Sequence, residues 1–91
     1  MRSSRLFILG MLARRGEMHG HQIRRAAQID RTELWADIKP GALYGALHRM
    51  ADEGVIVAVR TEQAGNRPAR TIYSITDEGR QELASYRDDV F

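Results

Sequence analysis

The sequence predicts an α+β fold, mainly α, on three observations. Apolar residues recur at helical spacing in four stretches, roughly residues 4–15, 20–30, 40–53 and 77–91. Between the third and fourth the pattern turns β-branched, in Val55 to Thr61 and Thr71 to Ile75, with turn residues between. Proline and glycine stand where helices begin and end: Pro40 at a start, Gly16 and Gly54 at stops. Helix, helix, short extended segment, helix, hairpin, helix is the order of a winged helix-turn-helix domain. That architecture has three helices, a two-stranded wing and a C-terminal helix. Residues 1–75 are read as the winged domain and 76–91 as a C-terminal helix suited to dimerisation.

The first helix is capped by Ser3 or Ser4 and runs to about Arg15. Leu6, Ile8, Leu9, Leu12 and Ala13 make it apolar over more than one face, which suits packing against its own domain and a second subunit together. On that reading Leu6 and Leu9 are dimer-contact candidates. A tight turn over Gly16-Glu17-Met18-His19-Gly20 leads into the second helix, with Ile23, Ala26 and Ala27 inward and His21, Arg24, Arg25 and Gln28 outward. Asp30 to Glu33 reads as a loop and Leu34 to Ile38 as one brief extended segment, with Trp35 a core anchor or a ligand platform at an interface.

The third helix carries the functional signal. Leu43, Leu47 and Met50, with Ala46, form one narrow apolar stripe. The other side carries Gly41, Tyr44, Gly45, His48, Arg49 and Asp52, with Lys39 and Ala42 beside it. Two glycines in a helix interior cost about 1 kcal/mol each relative to alanine. They leave bare backbone next to an aromatic hydroxyl, an imidazole and a guanidinium. Such a surface suits the close approach of something large, and a DNA major groove meets that description. Lys39 and the backbone N–H groups near Gly41 are placed for phosphate, Tyr44 for a phosphate or a thymine methyl, and His48 and Arg49 for base edges, Arg49 for guanine. The structural alternatives are partial burial of Tyr44 against the second helix and an Arg49 ion pair with Asp52 or Glu53.

After Gly54 the hairpin follows. Its linker, residues 62–69, contains Gly65-Asn66 as a turn signal, so the tip presents Asn66, Arg67 and Arg70 to a phosphate backbone or minor groove. A merely solvated polar tip is the alternative. Thr76 caps the last helix, with Asp77 and Glu78 in its first turn, where the helix dipole favours negative charge. Leu83, Tyr86 and Val90 line one face of it, which either lies back on the first helix or pairs with another copy.

Composition narrows the classes. Of the 91 residues, 43% are hydrophobic and 29% charged, with no cysteine, so no disulfide, thiolate zinc site or cysteine nucleophile is available. The absence of cysteine suits a cytoplasmic location. The net charge is +2, unevenly spread: residues 1–70 have twelve Lys/Arg against seven Asp/Glu, whereas residues 71–91 have two against five. Thirteen of the fourteen cations are arginine, the side chain shaped for phosphate and guanine edges. An anionic partner is thus drawn to the part holding the third helix. The apolar run from Leu6 to Ala13 is too short for a membrane span and lacks a signal-peptide cleavage site. No nucleophile–base pair, phosphate loop or paired carboxylates suggest an enzyme. His19 and His21 are two apart, not the four that put two ligands on one helical face, so no metal or other cofactor is expected. His19 is read as capping or packing in its turn.

The motifs Ile8-Leu9-Gly10-Met11-Leu12, Met18-His19-Gly20, Pro40-Gly41-Ala42-Leu43-Tyr44 with Leu47, and Glu53-Gly54-Val55-Ile56 occur in that order. They are followed by Arg67-Pro68-Ala69-Arg70-Thr71-Ile72-Tyr73 and Ile75-Thr76-Asp77-Glu78-Gly79. In this order and spacing, over nearly the whole chain, they resemble the PadR family of bacterial transcriptional regulators. The resemblance implies a winged-helix homodimer that binds double-stranded operator DNA, usually as a repressor. It also implies dimer contacts largely from the C-terminal helix with help from the first, and in some members release of DNA on binding a small aromatic effector. The chain departs from the family at Ala42, where Ser or Thr is common, at Gly45, where Pro is common, and at His21-Gln22, where a Tyr and a polar residue are usual. Its C-terminal portion is also shorter than in most members. The expected function is a sequence-specific DNA-binding regulator, reading the major groove with helix 40–53 and the backbone or minor groove with wing 60–70. The rival expectation is a winged-helix protein-interaction module that does not bind DNA.

Overall fold

The computed structural model describes residues 4–29, 40–63 and 65–90. Its elements are α1 (Ser4–Arg15), β1 (Met18–His19), α2 (Gly20–Ile29), α3 (Pro40–Glu53), β2 (Ile56–Glu62), β3 (Arg70–Ile75) and α4 (Asp77–Val90). The expected loop at Asp30 to Glu33, the extended segment at 34–38 with Trp35, and Lys39 lie outside the described residues.

The wing is three-stranded among the described residues, not two-stranded, in the order β1-β3-β2 and antiparallel throughout. The added strand is Met18–His19, expected as part of a tight turn; Met18 pairs with Tyr73 and His19 with Ile72. Two residues are too few to show a period, and what makes them a strand is the free edge of β3. β2 pairs with the other edge, from Ile56↔Ile75 to Glu62↔Arg70, with an irregularity between Ala58 and Arg60.

α1 runs through the middle of the domain and touches α3, α4 and β3. Ile8, Leu9 and Leu12 are fully buried there, and Phe7 and Met11 nearly so. This corrects the reading of Leu9 as a dimer contact: its own chain encloses it and leaves no surface to offer. The stripe of α3 (Leu43, Ala46, Leu47 and Met50), with Ile23, Ala26 and Ala27 of α2 and Ile56 and Ile75 of the sheet, completes one core. Leu83 and Tyr86 of α4 are partly buried against it. No helix among the described residues is long and apolar enough to cross a membrane.

The end of α3 is closed by hydrogen bonds from Gly54 N–H to Ala51 O (3.2 Å) and from Val55 N–H to Met50 O (3.1 Å). With φ of +84° at Gly54, this is a Schellman closure, which favours glycine because a Cβ is strained there. The Thr76 hydroxyl accepts the Gly79 N–H at 3.1 Å, capping α4, and donates to Gly54 O at 2.6 Å. The Arg5 guanidinium of α1 grips Glu82 of α4 through two nitrogens, at 2.5 and 2.7 Å, and Glu53 of α3 at 2.6 Å. Arg5 holds the carboxyls of Glu82 and Glu53 below the usual carboxylate range. Burial, with the bond it donates to Glu82 at 2.9 Å, pushes the Tyr86 phenol up.

Candidate nucleic-acid interface

The site grows from the way α2 begins. The His19 N–H donates to Gln22 Oε1 at 3.0 Å, and the Gln22 N–H donates to His19 Nδ1 at 3.2 Å. This is a capping box with imidazole in the role usually taken by serine or threonine, and it makes His19 the cap that the sequence suggested. A neutral imidazole has one acceptor nitrogen. With Nδ1 so used, Nε2 carries the proton and faces Arg70 Nη1, also a donor, at 3.3 Å. In that tautomer the approach of Arg70 to His19 is not a hydrogen bond. Burial, then the charge of Arg70, then His21 hold the His19 pKa below the ordinary imidazole value.

Gly20 follows the cap, and α3 crosses at that point. A Cβ on Gly20 would lie 2.5 Å from Tyr44 Cε1 and 3.2 Å from Leu47 Cδ1. The missing side chain therefore lets the Tyr44 ring lie on the α2 backbone. The alternative of partial burial against α2 holds in part: one edge of the Tyr44 ring is packed there, while the residue remains 39% exposed.

Beside Tyr44 runs a groove of about 350 Å³. Tyr44 and His48 of α3 form one wall, Gly20 and His21 the second, and Arg70 and Thr71 at the wing base the third. No carboxylate among the described residues lines it. Gly41 and Ala42 are exposed on the preceding turn of α3, and Gly45 is half-exposed. Asn66 and Arg67 are exposed at the wing tip, where the Arg67 carbonyl accepts a bond from Gln63 Nε2 at 3.1 Å. The arrangement offers hydrogen-bond donors and cations along one edge of an open helix face, which suits an anionic strand.

Of the residues singled out in the sequence, the groove gathers Tyr44, His48 and Arg70. Arg49 stands apart: it is exposed but lines a hollow with Ser4, Arg5 and Ala46 on the α1 side. Its guanidinium lies back over Gly45, with Nη1 3.5 Å from where a Cβ would be. The alternative ion pair with Glu53 or Asp52 is not formed, since Glu53 bonds to Arg5 and no salt bridge of Arg49 occurs among the described residues. Among the expected dimer residues, Leu6 is partly exposed and Leu83 and Tyr86 partly buried against α1. Val90 ends α4, and its side chain lies outside what is described. Among the groove residues not expected as site residues is His21; its signals were its outward place on the second helix and the departure from the family's usual Tyr. No group of three or more His, Cys, Asp or Glu among the described residues could hold a metal ion.

The family model for the PadR-like transcriptional regulators matches residues 8–85, spanning both the helical core and the groove. The chain belongs to the PadR-like family. It is 35% identical over 83 residues to the negative transcriptional regulator PadR of Bacillus subtilis, a match covering 91% of this chain and 44% of that protein. The fold superposes on the crystal structure of B. subtilis PadR in complex with operator DNA with a TM-score of 0.79 and 32% identity, covering 94% of this chain and 47% of that one. A transcriptional regulator from Clostridium thermocellum aligns with a TM-score of 0.74 and 28% identity over 93% of this chain and 79% of its own. A Thermoplasma acidophilum protein, 24% identical with a TM-score of 0.78 over 96% of this chain and 79% of its own, shares the fold. This chain spans a little under half the length of B. subtilis PadR. As a PadR-like chain it falls in a family of regulators, not of enzymes.

Proposed function

We propose that this chain is a sequence-specific double-stranded DNA-binding regulator, a cytoplasmic dimeric repressor that reads the major groove with α3. The observation that carries the reading is the exposed face of α3, Gly41, Ala42, Tyr44 and His48, standing beside Arg70 with no carboxylate of the described residues along the groove between them. A PadR relative was crystallised on operator DNA, which supports the same use of the same fold. Tyr44 and His48 meet base edges or phosphates, whereas Arg49, the guanine candidate of the sequence, is turned toward α1 and would have to swing out to join them. Asn66 and Arg67 at the wing tip contact backbone or minor groove. Leu6, Leu83, Tyr86 and Val90 are the proposed dimer contacts, which predicts a solution mass twice the 10.3 kDa of one chain. A small aromatic effector stays outside this proposal, because Trp35, its expected platform, lies outside the described residues.

The test is binding to a duplex enriched from a random-sequence library. Tyr44→Ala should weaken binding to the enriched sequence by about tenfold or more, as loss of one good base contact does. Arg67→Ala should weaken all duplexes alike and lower the salt slope by about 1. Wild-type binding by both variants overturns the groove assignment. If the chain binds no DNA at low salt and instead associates with a protein independently of salt, the protein-interaction module replaces it.

A further inference from the structure

We propose, resting on the DNA-binding reading, that the groove is a phosphodiester seat in which His21 and His48 join Arg70 around the DNA strand and take up protons as it docks. The function just argued needs only α3 and the wing tip. The groove between them is lined by imidazole and guanidinium on three sides, from α2, α3 and the wing base.

The three histidines are not equivalent. His19 spends Nδ1 on the cap of α2, so protonating it would break that bond. Its ring is stacked on that of His21, with centroids 6.1 Å apart and planes at 24°, so the fixed ring props the other at the groove. His21 and His48 have no such structural duty in the described hydrogen bonds. Imidazole changes charge between about pH 5 and 8, and a phosphate at hydrogen-bond distance favours the cation.

Among the described residues, the groups around the groove are mostly neutral or cationic, so a charge gained there is best met by DNA. From α3 the groove receives Tyr44 and His48, with Asp52 one turn beyond. From α2 it receives His21, with Arg24 and Arg25 on the next turn. From β1 it receives His19, and from the wing Arg70 and Tyr73. Of the nearby acids among the described residues, Glu62 and Glu17 bond to Arg60, at 2.8 and 2.5 Å, while Asp52, exposed one turn beyond His48, has no ion pair. In the free protein two more cations here would repel Arg70 and each other. The polyanion supplies what would hold them.

The chain has three histidines and no cysteine, so histidine is the side chain whose ordinary range falls near neutral pH, and the double variant separates its response from that of the terminal amine. The experiment measures affinity of the full chain for a library-enriched duplex by fluorescence anisotropy near pH 6 and pH 8 at fixed ionic strength. Wild type should bind about tenfold or more tighter at the lower pH, with a salt slope steeper by about 1 to 2. His21→Gln combined with His48→Gln should flatten that response, while His19→Ser should keep it. Calorimetry of wild type in buffers of different ionisation enthalpy should find about one or two protons taken up per subunit. DNA binding with no pH response, no proton uptake, or a full response in the double variant overturns the seat and leaves the DNA reading intact. No binding to any duplex overturns both.

Discussion

His19 Nδ1 accepts the Gln22 N–H while Gln22 Oε1 accepts the His19 N–H, at 3.2 and 3.0 Å, so a titratable ring closes the first turn of α2. Its native pKa is lowered, so the unfolded chain binds the proton more readily than the folded one. Stability from this source is therefore complete above about pH 6.5 and lost as pH falls below it. Urea denaturation at pH 7.5 and 5.5 should show the loss. His19→Ser, which restores a cap without a titrating ring, should shrink it, whereas an unchanged pH dependence in that variant would assign it elsewhere.

Gly20 and Tyr44 form a coupled pair. Gly20→Ala drives a methyl into the Tyr44 ring, and overpacking of this kind costs about 1–3 kcal/mol. In a Tyr44→Ala background the same change should be neutral or stabilising, since alanine is the better helix former. A double-mutant cycle by thermal melting measures the coupling, and additivity within about 0.5 kcal/mol would show that the contact is not made.

Arg5→Met removes a two-point grip on Glu82 together with the bond to Glu53. Screened by solvent, the two-point bond to Glu82 contributes on the order of 1 kcal/mol. The Glu82 carboxyl is held low in the native state, so that contribution is present above the unfolded carboxylate value of about pH 4.3. It disappears as pH falls through the native one. The stability gap between wild type and variant should therefore be full at pH 7 and close in acid, as chemical denaturation across that range would record.

Thr76→Val deletes the cap of α4 and the bond to Gly54 O while keeping the bulk of the side chain. Loss of an N-cap of this type costs about 1–2 kcal/mol. The variant should melt at a lower temperature. Because Thr76 lies at the α3–α4 junction and not in the groove, any DNA affinity should fall only where folding does.

Signals that act within a few residues were legible in the sequence. Pro40, Gly54 and Thr76 each mark a helix end through their own backbone chemistry, and the structure places the ends there. What depends on a partner distant in sequence was not. Met18–His19 becomes a strand because β3 offers an edge. Leu9 could have faced its own core or a second copy, since an apolar residue does not say what covers it. His21 reaches the groove through the crossing of α2 and α3. Arg49 was grouped with Tyr44 on spacing, yet five residues carry it about 140° round the helix, toward α1.

Thr76 and Arg5 tie α4 to the end of α3 at two points, one through the backbone of Gly54 and one through the carboxylate of Glu53. The two helices consequently behave as the arms of a single bracket. A tilt of α4 against α3 would therefore have to break the Thr76 bond to Gly54 O and the Arg5 bridge between Glu82 and Glu53.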